Sequence, residues 1–72
     1  MDTIEIFKTN VGEEQSAWKL VEQLRLHLPS CKINFDLDDC DKILRIQGLE
    51  IKPEFIINIL QTKGFDCELL AD

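Results

Sequence analysis

An α+β sandwich of order βαββαβ is the fold class this sequence predicts, and three observations predict it. Apolar residues recur at helical spacing in two separate stretches, they alternate with polar ones at strand spacing between those stretches, and punctuation residues fall at every junction. The chain has 72 residues, enough for a single small domain over residues 1–72.

Residues 3–9, rich in Ile and Phe, read as a first strand, and Asn10-Val11-Gly12 breaks it. From Glu13 onward Ala17, Leu20, Val21, Leu24 and Leu28 recur at steps of three and four, which sets them on one face of a helix. Glu13 and Glu14 suit the positive N-terminal end of that helix, and Pro29 ends it by disfavouring helical dihedrals in the residue before it. Cys31, Ile33, Phe35 and Leu37 then alternate with Lys32, Asn34 and Asp36, the pattern of a half-buried strand over residues 31–37. Asp38-Asp39-Cys40-Asp41 is turn chemistry, and residues 43–46 return as the second strand of a hairpin that Gly48 interrupts. Pro53 and Glu54 open a second helix whose inner face is Ile56, Ile59 and Leu60 and whose C-terminal signal is Gly64. Residues 65–70 close the chain as a short strand.

This order has one common solution: a ferredoxin-like sandwich, with a four-stranded antiparallel sheet, right-handed crossovers and both helices on one face. It requires the β1–α1 connection, the β2–β3 hairpin and the α2–β4 connection to meet at one end of the sheet. The α1–β2 and β3–α2 connections meet at the other.

Charge narrows the function classes. Fourteen acids against eight bases leave a formal charge of −6, the wrong sign for neutralising phosphates or for an anionic membrane surface. The central strands offer Phe7 and little else for stacking RNA bases, and Asn10-Val11-Gly12-Glu13-Glu14 would repel a phosphate from the loop where small acyl-phosphate hydrolases of this fold bind it. Amino-acid-sensing regulatory domains share the fold but usually accompany a larger enzyme. The N-terminal residues Met1 to Glu5 carry acids where a signal peptide has a basic start, and no run reaches the apolar length of a membrane span. Three cysteines are an odd number without secreted-type spacing, so a reducing, cytoplasmic setting is expected. One His, no Tyr and no Gly-rich run leave few groups to converge on an enclosed active site, and no enzyme activity and no cofactor are expected.

Four segments carry a resemblance to a known family. Phe7-Lys8-Thr9-Asn10-Val11 resembles the first strand and its exit, and residues 28–37, Leu-Pro-Ser-Cys-Lys-Ile-Asn-Phe-Asp-Leu, resemble a Leu-Pro-Gly-Val turn and second strand. Ile51-Lys52-Pro53-Glu54-Phe55-Ile56-Ile57 is similar to a Ser-Pro-Glu-Glu helix start, and Lys63-Gly64-Phe65 to a Lys-Gly-aromatic step before the last strand. The family is the heavy-metal-associated domain family, which includes copper chaperones and the N-terminal modules of metal-pumping ATPases. Its members bind soft metal ions with a Cys-x-x-Cys at the β1–α1 corner. Those positions fall here on Glu13 and Ser16, hard oxygen donors that cannot replace two thiolates. The resemblance therefore implies the architecture without the metal activity: a degenerate site and no bound metal.

The remaining candidates follow from position. Cys31, Cys40 and Cys67 read as structural thiols, because β2 and β4 take opposite edges of the usual sheet. Read as a calcium loop, Asp36-x-Asp38-Asp39-x-Asp41 fails at Cys40, Asp41 and Gln47. The topology gathers Glu13, Glu14, Asp38, Asp39 and Asp41 at one end, with Lys63 as a counterweight, as an acidic docking surface for a basic protein partner. Trp18 lies off the apolar face of its helix and reads first as an edge of the core, second as an interface anchor with Leu26, Phe55 and Ile57. His27 reads as a solvated helix C-terminal residue. The leading reading is a non-enzymatic interaction module, monomeric or weakly dimeric. The rival is a metal-binding or transport protein with an altered, oxygen-rich or relocated-Cys site.

Overall fold

In a computed structural model the chain is a βαββαβ sandwich: β1 (Thr3–Thr9), α1 (Glu14–His27), β2 (Lys32–Asp36), β3 (Ile43–Gly48), α2 (Pro53–Thr62) and β4 (Cys67–Leu69). The structure describes residues 2–70; Met1, Ala71 and Asp72, which the single-domain reading of 1–72 includes, lie outside the described residues. The sheet order is β2-β3-β1-β4 with every neighbouring pair antiparallel, so this is the ferredoxin-like arrangement.

Register explains the core. Phe7 pairs with Leu44 on one side and Leu69 on the other, and Leu44 in turn pairs with Phe35, giving one apolar row across the sheet. Side chains alternate across a strand, so Ile33, Ile46 and Cys67 project to the same face as that row. Ala17, Leu20 and Leu24 of α1 and Ile56 and Leu60 of α2 pack on it. Lys32, Asn34 and Asp36, Arg45 and Gln47, Ile4 and Lys8, and Glu68 fall on the opposite face by the same alternation.

The loops meet as the topology requires. Thr9 donates its N–H to the carbonyl of Asp41 at 3.1 Å, joining the exit of β1 to the hairpin. Asn10 Oδ1 accepts the N–H of Asp66 at 2.8 Å, and Asn10 Nδ2 donates to an Asp66 carboxylate oxygen at 3.3 Å, joining the same exit to the α2–β4 connection. At the other end a Cβ on Gly48 would stand 2.4 Å from Cys31 Sγ, so the α1–β2 turn presses directly on the end of β3. Gly48 therefore does not interrupt β3, as its type suggested. It is the last residue of the strand, paired with Thr3, and it is Gly because the Cys31 side chain occupies the space a Cβ needs.

Three boundaries also shift. β2 spans Lys32–Asp36 rather than residues 31–37: Cys31 is held in the preceding turn by its N–H bond to Leu28, and Leu37 already belongs to the hairpin turn. β4 shortens to Cys67–Leu69 because Asp66 turns its N–H to Asn10 instead of to β1, although the N–H of Leu70 still reaches the carbonyl of Ile6. α1 begins at Glu14, with Glu13 as the extended N-cap residue.

The helix ends follow local chemistry. Gly64 has φ +89° and closes α2: its N–H bonds to Gln61 while the N–H of Phe65 reaches back to Leu60, the paired bonds of a Schellman cap. The start of α2 is less well served. Lys52 is its N-cap residue in an extended conformation, and no side chain caps the helix. Lys52→Ser supplies a hydroxyl to a free N–H of the first turn and should stabilise the protein by about 1 kcal/mol. The denaturation midpoint should rise in urea titrations at unchanged slope.

Candidate functional site

The densest polar chemistry lies at the end of the sheet where three connections meet, and Thr9 organises it. This residue is 6% exposed. Its hydroxyl donates to the carbonyl of Lys42 and accepts the N–H of Val11 at 3.2 Å, so every hydrogen-bonding group of a buried polar side chain is used. Lys42 takes a left-handed conformation, φ +48°, where glycine is usual. It is held there by Thr9, by its own N–H to the carbonyl of Asp39 at 3.0 Å and by its Nζ to the carbonyl of Leu37 at 2.9 Å.

The hairpin acids are fixed by the same turn. Asp39 accepts the N–H of Asp41 at 2.8 Å, and Asp41 lies 3.8 Å from the ammonium of Lys8, with both side chains about half exposed. Oxygens of Asp39 and Asp41 and the Sγ of Cys40 come within 4.8 Å of one another. A thiol between two carboxylates mixes soft and hard donors. Asp39 already serves the turn and Asp41 already faces a cation, so this geometry is accounted for by the hairpin itself. Asp38 points elsewhere: with Asp36 and Phe35 it lines a groove completed by Glu14 and Ala17 of α1 and by Arg45.

The two positions at which the sequence resemblance would set thiolates differ in burial. Glu13 is an exposed N-cap residue whose side chain makes no cap bond. Ser16 is half-buried and lines a second groove with Lys19, Gln23, Leu26, Lys63 and Phe65 on the α2 side of the helix. Lys63 thus faces that groove, while the ion pair at the hairpin is made by Lys8.

Trp18 is 63% exposed, so the core-edge reading does not hold. Its place in the small core is taken by Ala17 and Val21, and it comes one helical turn after Glu14 but is not itself among the residues that line the acidic groove. Nor do the other off-face residues gather round it. Leu26 is 77% exposed on the α2 side, Ile57 packs against the core, and Phe55 meets His27 edge-to-face at 5.3 Å between ring centroids. His27 is therefore exposed at the end remote from the acids, beside an aromatic ring.

The cysteines stay apart. Cys31 is half-buried against Gly48, Cys40 is exposed on the hairpin, and Cys67 is buried in β4, on the opposite edge from β2. Burial pushes the Cys67 thiol up to about 11 from an ordinary 9.0.

Sequence reasoning missed Thr9, Lys8, Lys42 and Arg45. Lys8 comes to the hairpin from β1, remote in sequence, and Arg45 reaches the groove through the β2–β3 register that sets it opposite Asn34. No known family model, curated protein or solved structure matches the chain.

A raised thiol pKa gives a signed pH dependence. The folded state keeps the Cys67 proton up to about 11, while the unfolded chain releases it near 9.0, so this contribution is complete below pH 9 and is lost as pH rises toward 11. Urea midpoints measured across that window should fall more steeply for the wild type than for Cys67→Ala.

Proposed function

We propose that this protein is a non-enzymatic interaction module of heavy-metal-associated-like architecture, in which the acidic end and Trp18 receive a basic protein partner. The observation that carries this reading is Trp18 itself: a large aromatic side chain, 63% exposed, one turn beyond Glu14, which lines a groove together with Asp36 and Asp38. An aromatic anchor with a rim of like charges suits a partner that brings Lys or Arg together with an apolar contact. Thr9 and Asn10 tie together the three connections around this end, so little order has to be gained on binding.

Loss of the soft-metal site is part of the same reading. Oxygen side chains, Glu13 and Ser16, stand where the resemblance would set two thiolates, and the three thiols are distributed over both ends and both edges of the sheet. Catalysis has no support either, since His27 is at the far end, edge-on to Phe55. Among the described residues no helix is long and apolar enough to cross a membrane. With unpaired cysteines and an acidic surface, the module is assigned to the cytoplasm, with no nucleic-acid or membrane partner.

The proximity of Asp39, Cys40 and Asp41 favours a second reading, an altered metal site on the hairpin. It stands behind the first because two of its three groups already serve the turn and the Lys8 pair.

An amide-resolved NMR titration separates the two. With a Lys- and Arg-rich peptide containing one Leu, shifts are expected at Glu13, Glu14, Asp38, Asp39, Asp41 and the Trp18 indole, and added salt should weaken binding. Trp18→Ala should cost about 1–2 kcal/mol of peptide affinity while leaving the thermal midpoint within error. Zn(II), Cu(I) or Ca(II) shifting the hairpin amides while the peptide shifts nothing would reverse the order of the two readings.

A further inference from the structure

The sheet has two open edges, and they differ. β4 offers three residues, Cys67–Leu69, and a symmetric pairing of two such edges would set Glu68 against Glu68. β2 offers five, Lys32–Asp36, in unbroken register with β3 and without proline or bulge. Every second residue along it turns a backbone N–H and C=O outward, and among the described residues no other segment bonds to that edge.

The β2 sequence is complementary to itself when run antiparallel. Centred on Asn34, the pairing sets Lys32 opposite Asp36 of a second copy and Asp36 opposite its Lys32, with Asn34 facing Asn34. All of these residues lie on the open face of the sheet. On the helix face the same register sets Ile33 opposite Phe35 twice, and beyond the strand ends it brings half-buried Cys31 toward half-buried Leu37. Opposite charges and aromatic–β-branched pairs are the cross-strand combinations that stabilise antiparallel sheets.

We propose that the protein forms a two-fold symmetric dimer by antiparallel pairing of β2 with β2 about Asn34, making one continuous eight-stranded sheet. Each chain carries a formal charge of −6, so the geometry of approach matters. Antiparallel pairing sets the two acidic hairpins at opposite ends of the joint, where parallel pairing would set them side by side. The pairing is isologous, so it closes at two copies. It does not depend on a basic partner binding, but it draws on Phe35, Asp36 and Leu37, which also line the groove beside Glu14, so a second copy and a basic partner compete for that groove.

Charge reversal tests the register. Lys32 and Asp36 are both exposed, so Lys32→Asp and Asp36→Lys leave the monomer fold intact, which circular dichroism checks. Sedimentation equilibrium of the wild type from about 10 μM to about 1 mM covers the range in which a narrow joint associates. A concentration-dependent dimer is expected. Each single reversal creates two like-charge pairs and should raise the dissociation constant about tenfold or more, and the double reversal, which restores opposite charges, should return it to within about threefold of wild type. Asn34→Asp, placing two carboxylates across the axis, should weaken the dimer as well and decides the matter if the double variant misfolds. A wild type that stays monomeric at the highest concentration, its β2 edge then being left to a strand of another protein, overturns the proposal. So do folded single reversals that dimerise as well as wild type, or a folded double reversal no tighter than the singles.

Discussion

A buried threonine at the end of the central strand is the constraint on which this end of the molecule depends. The backbone N–H of Thr9 bonds to Asp41, and an apolar side chain here would lose the two further bonds of its hydroxyl, which donates to Lys42 and accepts from Val11. A buried hydroxyl without partners costs more than the same bond contributes when made, so the group selects conformations in which the hairpin lies against the exit of β1. Asn10, the next residue, extends the tie to Asp66. Two consecutive residues thereby bind three connections that are far apart in sequence.

That tie makes an electrostatic arrangement tolerable. Acids collected at one end repel each other, and the hairpin compensates with short-range bonds: Asp39 accepts a backbone N–H, Asp41 faces Lys8, and the Lys42 ammonium donates to the Leu37 carbonyl. Lys42 adopts a left-handed φ that costs a non-glycine residue on the order of 1 kcal/mol, and its three bonds keep it there. The far end is held by different chemistry, with Cys31 pressed on Gly48 and His27 edge-on to Phe55. One end is tied by hydrogen bonds and an ion pair, the other by side-chain packing.

The helix and strand periods, the proline and glycine punctuation and the resulting order of elements were legible because each depends on residues close in sequence. Gly64 as a helix terminator and Lys52 as an N-cap residue without a capping side chain follow from local rules in the same way. Trp18 and Gly48 were misread for the opposite reason. A tryptophan near a small core is buried or exposed according to the room left by its neighbours, and Ala17 and Val21 already fill the space beneath α1. A glycine at a strand end breaks the strand or admits a neighbour, and only the arrival of Cys31 from a distant turn decides between them.

By itself the sequence determined the βαββαβ order, the identity of the core faces and the absence of a thiolate pair at Glu13 and Ser16. It determined, through connectivity, that the acidic loops share an end. Tertiary structure alone decided which cation meets which acid, that Trp18 stands in solvent, and which residues of β2 lie on the open face of the sheet at its unbroken register with β3. The division has a physical cause. Period and punctuation are set by bonds within a turn or a strand, whereas exposure and ion pairing are set by register between strands that the chain brings together only on folding.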